Sequence, residues 1–472
     1  MKRVITTLLM LGLCLAATAE SYVPREGEVK FKMLRTTQNE AFREVRNSPF
    51  TKHFYSHPTY KIIDLDAAKP MHDYLGIGVS MTDASCWLLS QIDAEVRNEF
   101  LKNTFTKSGL NLSIVRLNCG SSDYATELYN YNDHKGDVEM KNFSIARDEK
   151  YMIPTIKMLK GYNPAIYYFS SIWSVPGWMK TSGEMCGGAL LDEHIPSFAN
   201  YWAAYLKAYK EQGIEIDAIT IQNEPLTDQR GGCPATFVSA EQEAQLAGKY
   251  LPQAFKKAGV KTKIWIHDHQ YDAYKRVLDI LENKEVVRQI DAVAWHPYNG
   301  EPYMIREVKA KHPNIPMHLT ERGPNLAMLD VQDVKWWADV VFGAFNNGCQ
   351  SYCSWNLVLD ADGQPNVGKF PCGGLYTIDV EKNTFTESAQ AKLFRQFGPY
   401  VDRGAKVLSI EQPSETISAI AFQNPDGNYV VCLVAKNVPN KRQTLQIKYR
   451  GEYMLVSLPF NTWSMTTILI EK

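Results

Sequence analysis

The stretch AITIQNEP, residues 218–225, contains the pattern on which the fold assignment depends. Ile219 and Ile221 are typical of a buried strand, because β-branched side chains pack well on a pleated sheet. The segment then turns polar and reaches Pro225, which cannot continue the strand. Glu224 is therefore either an ordinary solvated residue at a strand end or an acid placed there for chemistry. The other segments of the chain decide between these two interpretations.

Seven other segments have the same character, each a short apolar run followed by a polar or aromatic loop. The full set of eight is 75–81, 110–117, 165–172, 216–221, 262–267, 290–296, 316–321 and 350–355. Amphipathic helical patterns lie between most of them, such as 197–213 and 240–259, and Gly213 and Gly259 stand where C-terminal helix caps belong. Eight strands alternating with helices predict an α/β fold, a (β/α)8 TIM barrel. No glycine-rich nucleotide-binding pattern follows any of the strands.

The two ends of the chain differ from this central part. Residues 397–472 alternate in short strands with the turn signal PDGN at 425–428, which predicts a β-sandwich domain. Residues 20–65 are too few for a domain of their own, so we expect them to add to that β domain, leaving 66–396 as the catalytic barrel. Residues 1–19 have the charged start, apolar run and small-residue end of a bacterial signal peptide. They predict export to the periplasm, the cell surface or the medium, and a lipid anchor at Cys14 is not favoured, because Leu13 is too large for a good lipidation signal.

Charge and cysteine content narrow the possible partners. With 51 basic and 52 acidic residues the net charge is -1, so nothing indicates a nucleic acid or an anionic membrane as partner. No further segment is long and apolar enough to span a membrane, and we expect a monomer. Cys186 and Cys233 lie in glycine-rich loop sequence and are the predicted disulfide pair. Cys349 and Cys353 are too far apart for a CxxC site, so zinc is not expected.

Polar and aromatic residues follow the predicted strands, at the end of a barrel where active sites lie. The segment HDHQYD at 267–272 suggests a metal, but no third ligand is evident, so no metal site is predicted. Carboxylates, amides and tryptophans together suit a sugar, whose hydroxyls need hydrogen-bond partners and whose C–H faces need aromatic surfaces. The candidate site residues at these strand ends are Arg116, Asp123, Trp173, Asn223, Glu224, His296, Tyr298, Glu321 and Trp355.

Glu224 and Glu321 each directly follow an apolar strand, the fourth and the seventh of the set. Glycoside hydrolysis needs two carboxyl groups beside the scissile bond, about 5 Å apart when configuration is retained. We expect Glu224 to be the acid/base, with a pKa raised by partial burial and by its anionic neighbour. Glu321 is then the nucleophile, kept ionised by donors such as Tyr298, Arg116 or His296.

Several segments together resemble glycoside hydrolase family 30. QNEP (222–225) and TERG (320–323) resemble its acid/base and nucleophile segments, and GIGVSMTDAS (76–85) resembles its first-strand motif. SIWSVPGWMK (171–180) and WNLVLDADGQPN (355–366) are similar to its segments at strands three and eight. Arg116 followed by Asp123 matches its pattern after strand two. Ile172 and Gln364 depart from the family pattern. These departures concern the part of the site that binds the leaving group more than the two reacting carboxylates.

The resemblance implies a retaining mechanism without a metal or an organic cofactor. It also implies that Asp123, Trp173, Asn223, Tyr298, Trp355 and Asn366 line the sugar pocket. HDHQYD after strand five, together with the export signal, is more similar to the β-1,6-glucanase branch of the family, so the expected substrate is a β-1,6-glucan. The alternatives are a β-glucosidase or glucosylceramidase of the same family, and a glycan-binding protein without catalysis, which the presence of both carboxylates disfavours.

Overall fold

A computed structural model describes residues 28–54, 60–227, 232–326 and 334–472. The predicted signal peptide at 1–19, with Cys14, lies outside the described residues. Among the described residues, no helix is both long enough and apolar enough to cross a bilayer.

The strands of the described residues fall into a barrel and several smaller sheets. In chain order they are β1 (Phe31–Thr37), β2 (Arg43–Glu44), β3 (Lys61–Asp64), β4 (Pro70–Asp73), β5 (Gly76–Met81), β6 (Ile114–Asn118), β7 (Tyr167–Ser171), β8 (Ala218–Thr220), β9 (Lys263–Gln270), β10 (Ala292–His296), β11 (Met317–Leu319), β12 (Cys349–Ser354), β13 (Val358–Leu359), β14 (Tyr376–Asp379), β15 (Thr384–Glu387), β16 (Lys406–Leu408), β17 (Ile417–Gln423), β18 (Tyr429–Ala435), β19 (Thr444–Tyr449), β20 (Glu452–Ser457) and β21 (Ser464–Ile470).

The eight strands β5 to β12 are parallel and close into a barrel in chain order, because β12 pairs with β5. Their residues are almost all buried, as expected for strands that carry helices outside and side chains inside. The predicted TIM barrel is therefore confirmed, and each of its strands overlaps one of the eight segments identified in the sequence.

Helices connect the barrel strands and cover their outer face. The described α-helices are α1 (Asp83–Ser90), α2 (Ala94–Phe105), α3 (Met152–Tyr162), α4 (Ile195–Glu211), α5 (Ala240–Gln245), α6 (Leu251–Ala258), α7 (Tyr274–Leu281), α8 (Lys284–Gln289), α9 (Met304–Lys311), α10 (Val334–Asn346) and α11 (Ala389–Phe397). Gly213 and Gly259 follow α4 and α6 with φ of 78° and 68°. This left-handed conformation is the one glycine adopts without strain at a helix end, so both predicted caps are present.

A β-sandwich lies beside the barrel and contains both ends of the described chain. Its larger sheet has the order β2-β1-β21-β18-β17-β16-β4, and its smaller sheet the order β20-β19-β3. The first strand, β1, runs antiparallel to the last, β21, over seven residue pairs from Phe31↔Ile470 to Thr37↔Ser464. The described part of the segment 20–65 thus supplies β1, β2 and β3, and β4, just beyond it, also belongs to the sandwich.

The described cysteines are all free thiols. The predicted disulfide between Cys186 and Cys233 is not formed. Cys186 instead forms a backbone bridge with Pro234, the neighbour of Cys233, so the two glycine-rich loops meet through their main chains.

Candidate active site

A cavity of about 350 Å³ opens where the barrel strands end at their carboxyl termini. Aromatic, amide and carboxylate side chains form its wall, which is the composition expected for a sugar site. Seven of the ten predicted site residues line it: Asp123, Trp173, Asn223, Glu224, Tyr298, Glu321 and Trp355. Arg116 and His296 are buried beneath this surface and contact the two carboxylates from below.

The two predicted catalytic carboxylates meet in this cavity although 97 positions (321 − 224) separate them in the chain. Glu224 follows β8 and Glu321 follows β11, and one carboxylate oxygen of each lies within 4.8 Å of the other and of a His296 nitrogen. Retaining glycosidases place their two carboxyl groups about 5 Å apart, whereas inverting enzymes leave roughly 6.5 Å or more for a water molecule. The separation therefore fits retention of configuration.

Glu321 is almost completely buried, and charged and neutral donors hold both of its oxygens. Arg116 donates from Nη1 to Oε2, and the Tyr298 hydroxyl donates to Oε1 at 2.8 Å. Both contacts direct a donor at a carboxylate oxygen and thereby hold the side chain in one orientation. These are two of the three donors expected from the sequence, and the third, His296, has Nδ1 4.0 Å from Oε1.

Arg116 is fully buried in β6 and organises several groups at the floor of the cavity. From Nη2 it donates to Asn223 Oδ1 at 2.8 Å and to Asp268 Oδ2 at 2.7 Å, and its guanidinium lies 4.7 Å from the Trp173 ring centroid. Burial alone would lower the pKa of Arg116, but the adjacent carboxylates, Asp268 first, outweigh burial and raise it. Arg116 is therefore a permanent cation under the site.

Asp268 is a buried site residue that the sequence analysis did not single out. It accepts hydrogen bonds at 2.6 Å from the hydroxyls of Thr220 and Thr320, in addition to its contacts with Arg116 and His296. Burial alone would raise the pKa of Asp268, but the charges of Arg116 and His296 hold it far below its usual range. Asp268 belongs to the segment HDHQYD, but the regular alternation of side chains along a strand gave no reason to predict that this aspartate faces the site.

His296 lies between two carboxylates, with Nδ1 3.1 Å from Glu224 Oε1 and Nε2 3.1 Å from Asp268 Oδ1. Burial alone would lower the pKa of His296, but the negative charges of Glu321 and Asp268 outweigh burial and raise it to about 9. Burial likewise would raise the pKa of Glu224, yet the hydrogen bond and positive charge of His296 lower it. The expected rise in the pKa of Glu224 is therefore wrong, because the prediction did not include His296 as a partner of Glu224.

Two indoles and an aspartate form the part of the cavity best suited to a sugar ring. Trp173 and Trp355 stack with centroids 5.1 Å apart at an interplanar angle of 21°. Asp123 Oδ1 is buried without a hydrogen-bond partner among the described residues, so it offers an acceptor for a ligand hydroxyl. Burial, followed by the charge of Glu321, raises the pKa of Asp123 well above its usual value.

The loop from Gly363 to Gly374 closes one side of the cavity, and Asn366 is its one residue that was predicted to line the sugar pocket. Asn366 does not line the cavity, and its Nδ2 donates at 2.9 Å to the carbonyl of Phe370, which does line it. The Tyr124 hydroxyl donates to the same carbonyl at 2.5 Å. Phe370 is thereby fixed at the cavity mouth with its side chain 44% exposed, although no motif in the sequence pointed to it.

Glu224, His296 and Glu321 are also the described residues whose atoms come close enough together to hold a metal ion. Two of them already have other protein partners: Asp268 for His296, and Arg116 and Tyr298 for Glu321. The guanidinium beside Glu321 would repel a divalent cation. This donor set is thus better matched to proton transfer and nucleophilic attack than to metal binding.

Comparison with known proteins places the chain among carbohydrate-active enzymes. Residues 74–388 match the model of the glycosyl hydrolase family 30 TIM-barrel domain, and residues 404–468 match that of the family 30 β-sandwich domain. The endo-1,6-beta-D-glucanase BGN16.3 of Trichoderma harzianum is 29% identical over 388 residues, covering 76% of each chain. The lysosomal acid glucosylceramidase of Mus musculus is 24% identical over 405 residues, covering 80% of this chain and 77% of that protein.

Solved structures share the same architecture. The endo-beta1,6-glucanase BT3312 superposes with a TM-score of 0.83 at 24% identity, covering 94% of this chain and 100% of its own. SrfJ from Salmonella typhimurium superposes with a TM-score of 0.86 at 22% identity, covering 93% and 99%. At these identities the likeness shows a common fold.

Proposed function

The chain belongs to glycosyl hydrolase family 30 and is a glycoside hydrolase, and on that premise we propose that it is a retaining endo-β-1,6-glucanase. The observation that carries the mechanism is the pair of carboxylates, Glu224 and Glu321, with oxygens within 4.8 Å across one cavity. The substrate is supported by the similarity to an endo-1,6-beta-D-glucanase over 76% of the chain.

The proposed reaction has two displacements. Glu321 attacks the anomeric carbon, the glycosidic C–O bond breaks, and Glu224 gives its proton to the departing oxygen. A water molecule then attacks the glycosyl–Glu321 ester, returns its proton to Glu224 and releases Glu321 as a carboxylate. Two inversions at the same carbon retain its configuration. Asn223, held at 2.8 Å by Arg116, is placed to contact the sugar hydroxyl next to the reacting carbon.

The proton needed by Glu224 is supplied by its partner. The pKa of His296 is raised to about 9, which favours its protonated form near neutral pH, and its Nδ1 lies 3.1 Å from Glu224 Oε1. Transfer along this hydrogen bond gives neutral His296 and protonated Glu224 without a change in total charge. We propose that His296 and Glu224 share one proton until the leaving group accepts that proton.

Replacement of the nucleophile tests the assignment. Glu321→Gln keeps the shape of the side chain but removes the attacking charge, so turnover of pustulan, a β-1,6-glucan, should fall by a factor on the order of 10³ or more. Glu301→Gln is the matched control, because Glu301 is exposed and outside the cavity, and it should leave turnover unchanged. Wild-type activity in Glu321→Gln would remove Glu321 from the mechanism.

A substrate panel separates the proposed activity from its alternative. Glucosylceramidases are also among the similar proteins, so glucosylceramide is tested beside pustulan, gentiobiose, laminarin and xylan. Oligosaccharide ladders from pustulan support endo action on β-1,6 links. Release of glucose from glucosylceramide, with pustulan intact, would replace the proposed substrate and leave the mechanism in place.

We also propose that the protein is exported and monomeric. The charged, apolar and small-residue pattern of residues 1–19 supports export. Mass spectrometry of the mature N-terminus in periplasmic and membrane fractions tests this, and an unprocessed cytoplasmic chain would contradict it. Light scattering after size exclusion measures the oligomeric state.

A further inference from the structure

Strand β9 contains an irregularity at the point where it supplies the active site. Its pairing with β10 sets His267 opposite Ala294 and His269 opposite Trp295, so Asp268 is an extra residue without a partner. His267 and Asp268 have φ of 81° and 46°, in the left-handed region that residues other than glycine rarely adopt. The arrangement is a β-bulge, and bulges redirect a side chain.

The bulge determines which way Asp268 faces. Its side chain lies in the barrel interior, where it contacts Arg116 at 2.7 Å and His296 at 3.1 Å. Its backbone carbonyl accepts the Glu224 N–H at 3.0 Å. Asp268 therefore touches the groups that orient both catalytic carboxylates, and any relaxation of the bulge would move them together.

A buried ion pair outside the cavity holds the bulge. Glu243 in α5 accepts the His267 N–H at Oε1, 2.6 Å away, and its Oε2 binds Arg276 Nη1 in α7. Glu243 and Arg276 are only 1% and 7% exposed, and neither lines the cavity. The N–H of His267, turned out of regular strand pairing by the bulge, thus finds its acceptor on a helix.

The Glu243–Arg276 pair is also connected, through hydrogen bonds, to the backbone next to the proposed acid/base. Arg276 Nη2 donates to the Val238 carbonyl at 2.9 Å, and the Val238 N–H donates to the Pro225 carbonyl at 2.8 Å. Glu224, next to Pro225, has a φ of 44° and is itself in the left-handed region. Two irregular segments that carry site residues are thereby connected to one buried pair.

We propose that Glu243 and Arg276 are positioning residues, which act on the reaction by holding the β9 bulge and with it Asp268. The proposal rests on the proposed function insofar as Glu224 and Glu321 are the reacting groups. A buried ion pair by itself is weak evidence for a stabilising role, because the cost of desolvation offsets much of the attraction. This pair, however, also accepts a hydrogen bond from the strained backbone at His267, and that contact can hold the bulge in its conformation.

Two double variants isolate the contact with the bulge. Glu243→Gln with Arg276→Met keeps an acceptor for the His267 N–H, and Glu243→Ala with Arg276→Met removes it, while neither leaves a buried charge unpaired. In the double variant that contains Glu243→Ala, the alanine pair, kcat should fall about 10- to 100-fold, the loss typical when a hydrogen bond that orients a functional residue is removed. KM should change little. The glutamine pair should retain most of kcat.

The pH profile supplies a readout that a merely structural role would not change. If Asp268 moves away from His296, the alkaline limb of kcat/KM shifts to lower pH in the alanine pair and stays in place in the glutamine pair. Asp83→Ala is the control. It breaks an ion pair outside the cavity, between the buried Asp83 and the partly buried Arg147 at 2.9 Å, and should lower the unfolding temperature without a shift of the limb.

Equal kcat and equal alkaline limbs in the two folded double variants would overturn the proposal. Should the alanine pair fail to fold, Glu243→Asp keeps the charge but is one methylene too short for the His267 N–H, and an unshifted limb there would overturn it equally. Rates are compared with the wild type on whichever glycoside it cleaves, so failure here is distinguishable from failure of the β-1,6-glucanase assignment, which the Glu321→Gln variant and the substrate panel decide.

Discussion

His296 makes one hydrogen-bond contact to each of two carboxylates, at 3.1 Å to Glu224 and 3.1 Å to Asp268. Because Asp268 stays ionised, His296 can be cationic although it is fully buried. Glu321 contributes to the charge of His296 as well, and the proton that reaches the substrate is shared by His296 and Glu224. The pKa of Glu224 therefore depends on His296 and Asp268 as well as on its own side chain.

The first prediction concerns the pH dependence of hydrolysis. The pKa of His296 is raised to about 9, so the His296–Glu224 pair keeps its proton below that pH and loses it as pH rises through it. In His296→Gln only Glu224 can hold the proton, so the alkaline limb of kcat/KM should move to lower pH. Initial rates from about pH 4 to pH 10 measure this shift.

A neighbouring histidine provides the control for that measurement. Burial lowers the pKa of His269 to about 4, so this imidazole is neutral where the alkaline limb lies. His269→Gln should leave the limb where it is. An unmoved limb in His296→Gln would contradict a proton shared between His296 and Glu224.

At the same scale, the sequence predicted the reacting residues better than their charge states. Glu224 and Glu321 could be found because each directly ends an apolar strand, and strand order brings them together. Asp268 could not, because a bulge of one residue reverses which side chains face inward, and nothing in HDHQYD marks where it occurs. The lowered pKa of Glu224 follows from His296, a tertiary contact that spacing along the chain does not show.

At the scale of elements, the loops after strands β7 and β8 are joined by one buried cation. Lys180 Nζ donates to the carbonyls of Met185, Gly187 and Ala235 at 2.7, 2.9 and 2.9 Å, and to Ser174 Oγ at 2.8 Å. Ala235 lines the cavity, so the ammonium group holds one wall of the site in place. It performs the cross-linking that the glycine-rich loops had suggested for a disulfide.

The second prediction is the effect of removing this cation. Lys180→Met leaves buried carbonyls without their donor, each worth about 1–3 kcal/mol, so the free energy of unfolding should fall by roughly 3 kcal/mol or more. KM should rise more than kcat falls, since a wall of the cavity loosens while the carboxylates stay in place. Urea unfolding and steady-state kinetics measure the two effects.

Lys207→Met is the matched control for that change. Lys207 is 63% exposed on α4, and its loss should alter neither stability nor KM. If Lys180→Met matched this control in both measurements, the cross-linking role of Lys180 would be wrong.

Strands and helices could be predicted from the sequence where a single preference, such as burial of apolar side chains, determines the local pattern. The eight barrel strands are buried on both faces and are therefore continuous apolar runs. Errors arose where the backbone departs from a regular period. The predicted strand 110–117 begins only at Ile114, because Asn111 has a φ of 55°, and the predicted helix 240–259 is interrupted by a π-helical turn at Leu246–Tyr250. Such departures depend on packing that a local pattern does not contain.

At the scale of the whole molecule, one face of the larger sandwich sheet packs into the hydrophobic core of the barrel helices, while the interior of the sandwich forms a second core. Phe422 of β17 stacks on Phe397 of α11 with centroids 5.9 Å apart, and contacts Tyr74 and Phe345 at 5.3 and 6.2 Å. Polar contacts reinforce the junction, since Gln396 donates to Thr36 Oγ1 at 2.8 Å. The sandwich therefore covers apolar surface of the barrel helices, and we expect the two parts to unfold together.

The third prediction tests this unity. Phe422→Ala removes a buried ring at the junction and should lower the free energy of unfolding by about 3–5 kcal/mol. Because Phe422 belongs to the core that the sandwich shares with the barrel helices, calorimetry should still show one transition, at a lower temperature, and hydrolysis should be lost in the same transition. Phe460→Ala is the control, since Phe460 lies in the sandwich with its side chain 51% exposed and should leave the transition unchanged. Two separate transitions in Phe422→Ala, with hydrolysis following only the later one, would mean that the barrel folds and works without its partner sheet.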